Sequence, residues 1–161
     1  HTPPPDLSPP ICALPHGGAS TGGALPDAIA PGGVGRGVPA VVAALAGFPL
    51  GMLWYGPLFQ KAWMAASGVS AEQGRAVSPV KLYGTVLALN LIACSSLAMF
   101  IGNGDWRFGL FAGFMTGTTF VSVGLGVCYL FEFRTLRHWL INAGYMTVYF
   151  SLAGTILGAW H

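Results

Sequence analysis

The sequence has very little charge. Only 7% of its 161 residues are Asp, Glu, Lys or Arg, whereas soluble domains carry about 25%. A soluble fold of this size could not cover its surface with so few charges and stay dispersed. A lipid bilayer removes that requirement, and the mean hydropathy of +0.63 agrees with it. The formal net charge of +2 provides no basic field for nucleic acid, so we expect the bilayer, and not nucleic acid, as a partner.

Paired cysteines are also missing. Cys12 lies in a Pro-rich stretch, while Cys94 and Cys128 lie in apolar runs. An odd number without paired spacing argues against a disulfide framework and against a zinc site. We therefore expect no metal site.

Motifs of catalysis are not found either. The sequence contains no HExxH, CxxC or phosphate-binding loop, and no acidic pair within an apolar run. Proton relays and substrate channels in membranes need ionisable residues at depth. We therefore expect a protein that is not an enzyme.

The first 38 residues are rich in proline and glycine. Prolines remove backbone donors and glycines raise the entropic cost of ordering, so this segment cannot build a core of its own. We divide the chain into an irregular extension, 1–38, and a transmembrane domain, 39–161.

Long apolar runs without Asp, Glu, Lys or Arg fill the second part, at about residues 39–59, 82–104, 108–131 and 138–160. Each is long enough to cross a hydrocarbon core, which takes about 20 helical residues. Lipid offers the backbone no hydrogen bonds, so such runs form helices. Pro49 should bend the first run, and Gly56-Pro57 should end it. The sequence predicts an all-α membrane protein, a bundle of four transmembrane helices.

Positive charges are distributed unequally between the two faces. The connections 61–81 and 132–137 carry five Lys or Arg residues, and the opposite face carries Arg36 and Arg107. The positive-inside rule places these two connections on the cytoplasm-, stroma- or matrix-type face and both termini on the lumen-type face.

Small residues recur at four-residue spacing on three of the runs. Such faces let helix backbones approach closely in lipid. The sequence predicts internal packing of the bundle and, as an alternative, docking of a foreign helix at these glycines: Gly47, Gly51, Gly109, Gly113, Gly117, Gly154 and Gly158.

A few polar side chains in or beside the runs could hold the magnesium of a chlorophyll. These candidate pigment ligands are His138, Asn90, Asn142 and Gln60. The opposing histidine pair that a bis-histidine haem needs is missing. The default expectation for Asn90 and Asn142 is nevertheless an interhelical hydrogen bond, from one asparagine to the other or to the backbone. No cofactor is certain; chlorophyll, carotenoid or lipid at the helix surface remain the candidates.

Two stretches, W-Y-G-P-L-F at 54–59 and I-N-A-G-Y at 141–145, carry a family resemblance. Over about residues 40–160 the chain resembles the uncharacterised bacterial integral-membrane family, domain-of-unknown-function family 1761. The resemblance implies a four-helix membrane domain of unknown activity and no catalytic residue. The positions that match its motifs are Trp54, Tyr55, Gly56, Pro57, Trp63, Glu132, Asn142, Ala143, Gly144 and Tyr145.

The added extension and the start at His1 suggest an organellar protein of bacterial ancestry, with a thylakoid favoured over the mitochondrial inner membrane. The leading hypothesis is a non-catalytic accessory subunit of a large, plausibly photosynthetic, membrane complex. It would dock on other membrane subunits through its glycine faces and the extension. The alternatives are a small transporter or lipid-binding protein with Tyr55, Glu132 and Asn142 lining a cleft, and a chlorophyll-binding subunit with a single ligand.

Overall fold

The computed structural model describes residues 32–69, 72 and 78–160, and these residues are almost entirely helical. Two π-helical turns, Trp54–Leu58 and Thr116–Val121, extend the first helix and join the fourth helix to the fifth. The α-helices are α1 (Gly32–Leu53), α2 (Gln60–Ser67), α3 (Pro79–Ile101), α4 (Trp106–Met115), α5 (Ser122–Phe131) and α6 (Leu136–Ala159).

Helical segments long and apolar enough to cross a membrane occur four times in the described chain. They are the first span, Gly37–Leu58, the second, Pro79–Ile101, the third, Trp106–Phe131, and the fourth, Leu136–Ala159. The prediction of an all-α, four-helix membrane protein is confirmed. The protein is accordingly an integral membrane protein.

The first helix starts earlier than expected. Residues 32–38, assigned to the irregular extension, belong to α1. They contain no proline, so every residue can donate to the helix, and their many glycines do not prevent it. Residues 1–31, where the rest of the predicted extension falls, lie outside the described residues.

The ends of the second span show why charge alone is a poor boundary marker. α3 begins at Pro79, where a proline needs no hydrogen-bond acceptor for its missing N–H, and so it includes Lys81 in its first turn. A lysine at a helix end can reach the headgroups with its ammonium group. α3 stops at Ile101, because Gly102 has a φ of +59°. The expected limits were 82 and 104.

The fourth span lies at the centre of the bundle. Other parts of the protein bury 44% of its apolar window, compared with 17% for the second span. Tyr149, Ala153 and Leu157 form a core with Ala43 of the first span and Cys94 of the second. Side chains on α6 can therefore contact every other span.

The first span ends in the expected place. α1 runs through Pro49 to Leu53, and the helix breaks at Gly56, where φ is −92° and ψ is −110°. Pro57 cannot donate the next backbone hydrogen bond. The chain then re-enters a helix at α2, which the sequence analysis did not predict.

Two connections lie on the same face of the bundle. The Arg134 guanidinium donates to the Ser67 carbonyl oxygen over 3.1 Å, so the turn after the third span contacts the end of α2. This pairing fits four crossings with alternating direction. Among the cations expected on this face, Arg75 lies outside the described residues.

Candidate functional site

The two sequence motifs contact each other across the first and fourth spans. The Trp54 indole N–H donates to the Ile141 carbonyl oxygen over 3.0 Å. Its ring lies against Gly144, where a Cβ would come within 3.1 Å of the indole. The missing side chain at Gly144 therefore makes room for the indole against α6.

A chain of polar side chains starts at the neighbouring residue. The Tyr55 hydroxyl donates to Asn142 Oδ1 over 2.8 Å, and Asn142 Nδ2 donates to the Tyr129 hydroxyl over 2.9 Å. The chain links the first, fourth and third spans. Asn142 is buried, so its amide would be costly without these partners. Asn142 therefore forms interhelical hydrogen bonds, but with tyrosine hydroxyls and not with another asparagine or the backbone as expected.

His138 packs beside this chain. Its ring stacks on Tyr129 at a centroid distance of 4.9 Å, and Trp63 of α2 approaches it edge-on at 6.4 Å. His138 is buried, and its Nδ1 has no hydrogen-bond partner. Rings therefore cover it on two sides, and it lines none of the described cavities.

A cleft of about 550 Å³ opens between the first, second and fourth spans. Aromatic and aliphatic side chains form most of its wall, and glycines of the first span form the rest. No Asp, Glu, Lys or Arg is among its lining residues, which are Gly47, Phe48, Gly51, Met52, Tyr55, Gly56, Leu82, Tyr83, Val86, Asn90, Tyr145 and Met146. Volume and composition are typical of small-molecule sites.

Two polar side chains of the cleft, Tyr145 and Asn90, lie beside backbone carbonyl groups of the first span. The Tyr145 hydroxyl donates to the Gly47 carbonyl oxygen over 3.2 Å. Asn90 Nδ2 lies 3.5 Å from the Ala44 carbonyl oxygen, at the long limit of a hydrogen bond. The Tyr145 ring lies 5.1 Å from the Tyr55 ring, centroid to centroid. Tyr145 therefore connects the Gly47 carbonyl to the contact between the two motifs. We call that contact the motif junction: Trp54 and Tyr55 with Ile141, Asn142 and Gly144.

Glycines Gly47 and Gly51 belong to this cleft. A Cβ on Gly47 would lie 2.8 Å from the Tyr149 ring and 3.0 Å from the Asn90 amide nitrogen. A Cβ on Gly51 would lie 3.5 Å from the Tyr145 hydroxyl. The missing side chain at Gly47 makes room for Tyr149, whereas a Cβ on Gly51 would only make ordinary van der Waals contact with Tyr145.

The other predicted packing glycines form the contact between the third and fourth spans. A Cβ on Gly109 would meet the Gly154 carbonyl, and one on Gly158 would lie 2.5 Å from the Asp105 carbonyl oxygen. We call this contact the glycine seam: Gly109, Gly113 and Gly117 with Gly154 and Gly158. All five are buried, so the alternative use expected for them, docking of a foreign helix, is not open in the folded bundle.

The candidate pigment ligands do not lie together. Gln60 is exposed at the start of α2, and Asn90 lines the cleft. His138 is enclosed by rings, and Asn142 uses its amide oxygen and nitrogen for the tyrosine chain. Of these residues only Asn90 lies at a described cavity.

Glu132 is distant from the cleft. It forms an ion pair with Arg134 over 3.3 Å, and both side chains are about half exposed. The expectation that Glu132 and Asn142 line a cleft together with Tyr55 is wrong for those two residues, since Asn142 lies behind Tyr55 and Glu132 lies in the surface turn.

Polar contacts also surround a turn within the third span, and those that connect it to the fourth span were not predicted. The Ser122 hydroxyl bonds the Gly117 carbonyl oxygen at 2.7 Å and the Ala143 carbonyl oxygen at 3.2 Å, and the Trp139 indole donates to the Ser122 carbonyl oxygen at 2.8 Å. They surround the π-helical turn Thr116–Val121, a geometry that is frequent at functional sites. Nothing in the sequence marks such a turn. In the described part of the chain no three His, Cys, Asp or Glu residues come together as a metal site would need.

The fold and the cleft define a four-span, all-helical membrane protein. The chain belongs to the family of proteins of unknown function DUF1761, whose family model matches residues 38–158. The family resemblance drawn from the two motifs is therefore confirmed. No curated protein and no solved structure matches the chain.

Proposed function

We propose that this protein binds a lipophilic small molecule in the cleft between the first, second and fourth spans. The observation that carries the proposal is the cleft itself, about 550 Å³ of uncharged, aromatic-rich space. Ligand pockets are commonly about 300–1,000 Å³, mostly apolar, with few polar groups that fix orientation. Tyr55, Asn90 and Tyr145 supply those polar groups.

The position of the family motifs supports the same site. Tyr55 and Tyr145, one from each motif, both line the cleft. The remaining motif contacts hold these two tyrosines, since Trp54 packs on Gly144 and Asn142 bonds Tyr55. The most specific residues of the resemblance therefore build one wall.

Val86→Trp tests this function. Val86 lines the cleft from the second span, so an indole there fills the space that a ligand needs. The matched control is Leu89→Trp, on the same helix, 61% exposed and outside the cleft. We expect mass spectrometry of organic extracts to find a defined lipid with the wild type and the control and to find most of it lost with Val86→Trp. Identical lipid content in all three preparations would refute the proposal.

The accessory subunit is the second candidate, and the outer face of the second span favours it. Only 17% of that span's apolar window is buried, and Leu89, Ile92 and Met99 are each more than 60% exposed. Apolar side chains in such a row suit a partner helix as well as lipid tails. The finer expectations, a photosynthetic complex, a thylakoid membrane and termini on the lumen side, stay predictions.

A photo-crosslinking residue at Ile92, with one at the buried Leu97 as control, tests that candidate. A discrete adduct with another polypeptide in native membranes, formed from Ile92 and not from Leu97, supports a subunit interface. Adducts with lipid alone at Ile92 would count against it. Removal of residues 1–31 in the same experiment shows whether the expected role of the extension holds.

A further inference from the structure

We propose that the cleft selects a neutral lipid with a hydroxyl group, because the hydroxyl oxygens of Tyr55 and Tyr145 can only accept further hydrogen bonds. The inference rests on the proposed function and names the chemistry of the ligand. It follows from the hydrogen bonds that the Tyr55 and Tyr145 hydroxyls already donate within the protein.

The proton of Tyr55 is used inside the protein. Its hydroxyl donates to Asn142 Oδ1 over 2.8 Å. At its other end the same amide donates from Asn142 Nδ2 to the Tyr129 hydroxyl over 2.9 Å. Tyr55 thus keeps only oxygen lone pairs for a further partner.

The proton of Tyr145 is committed in the same way. Its hydroxyl donates to the Gly47 carbonyl oxygen over 3.2 Å. The phenol oxygen lies next to Gly51, which lines the cleft. A ligand that reaches this point meets an acceptor.

The other polar groups of the cleft do not add more hydrogen-bond donors than acceptors. Asn90 brings one amide oxygen, which accepts no bond from the described residues, and an amide group that already lies near the Ala44 carbonyl oxygen. Tyr83 also lines the cleft and is 53% exposed, and its hydroxyl can donate as well as accept. Tyr55, Tyr145 and Asn90 together therefore offer three acceptor oxygens and at most one free N–H.

The absence of charged residues from the cleft lining also restricts the class of ligand. A cationic donor such as an ammonium group needs a counter-charge at membrane depth, and no carboxylate lines the cleft. A neutral hydroxyl can donate to a phenol oxygen without that cost. A ketone or an ether of the same length offers only lone pairs, and it would leave the acceptors unpaired.

The test compares octadecanol with its methyl ether, 1-methoxyoctadecane, by competition against radiolabelled octadecanol on the purified full chain in mild detergent. We expect the alcohol to bind about three- to tenfold more tightly, the ratio that one net hydrogen bond supplies. Tyr145→Phe should reduce the alcohol's affinity to that of the ether and leave the ether unchanged. Ser96→Ala, which removes a hydroxyl of the second span outside this cleft, is the control and should keep the ratio.

The outcomes separate the inference from the function. Equal binding of alcohol and ether, or tighter binding of the ether, overturns the selection and leaves lipid binding intact. A ratio that survives both Tyr145→Phe and Tyr55→Phe overturns the assignment to the tyrosine oxygens. If neither compound binds, the proposed function fails and the selection with it.

Discussion

Replacing Gly113 by alanine tests how tightly the third and fourth spans are joined. A Cβ on Gly113 would lie 2.8 Å from the Phe150 carbonyl carbon and 3.1 Å from Ser151 Cα. Optimal separation of two carbons is about 3.5–4.0 Å. These neighbours are backbone atoms, so no side-chain rotation relieves the contact, and the helices must separate by about 1 Å.

The size of the effect follows from that geometry. Overpacking of this kind costs about 1–3 kcal/mol, whereas alanine in an unhindered helix position gains up to about 1 kcal/mol over glycine. Gly124→Ala is the matched control on the same span, since a Cβ there would meet nothing within 4 Å. The propensity gain is common to both variants, so we expect them to differ in stability by about 1–3 kcal/mol, with Gly113→Ala the less stable.

Thermal unfolding of the purified variants, followed by fluorescence-detected size-exclusion chromatography, measures the difference. For a chain of this size each kcal/mol shifts the Tm by about 2–4 °C. Gly113→Ala should therefore unfold several degrees below Gly124→Ala. Equal midpoints would mean that the spans tolerate separation, and the seam would then contribute nothing specific to the fold.

Two further substitutions test the motif junction and the surface turn. Asn142→Leu leaves the Tyr55 and Tyr129 hydroxyls without their shared partner. We expect the free energy of unfolding in denaturant to fall by about 1–3 kcal/mol. A double-mutant cycle with Tyr55→Phe should give a coupling energy of roughly 0.6 kcal/mol, which is typical of such bonds in membranes, and strict additivity would argue against the pair. Arg134→Ala removes the hydrogen bond to the Ser67 carbonyl oxygen. Amide hydrogen exchange should therefore become faster in α2, while the amides of the four spans keep their protection. Unchanged exchange in α2 would show that Arg134 does not hold α2 in place.

The spans could be predicted from the sequence because their cause is local. A run of uncharged residues of sufficient length must be helical in lipid, and a helix break at Gly56-Pro57 follows from the missing N–H of proline. The boundary errors at Gly32 and Pro79 arise where a helix continues past the apolar run, since nothing in hydropathy stops it there.

The cleft could not be predicted in the same way, because it depends on how separate spans meet. The motif residues were identified, but that Tyr55 and Tyr145 would share a wall follows from the central position of the fourth span. Tyr129 attracted no attention, since a tyrosine near a span end is expected at the membrane interface. Its role becomes visible only once Asn142 is placed beside it.

The glycine seam also restricts how the protein can move. Backbone lies against backbone where Gly109 meets Gly154, so the third and fourth spans have no soft side chains between them and should shift together. The cleft lies on the opposite side of the fourth span, against the first and second. A ligand bound in the cleft would therefore lie against this fixed pair of spans, and only the first and second spans could move around it.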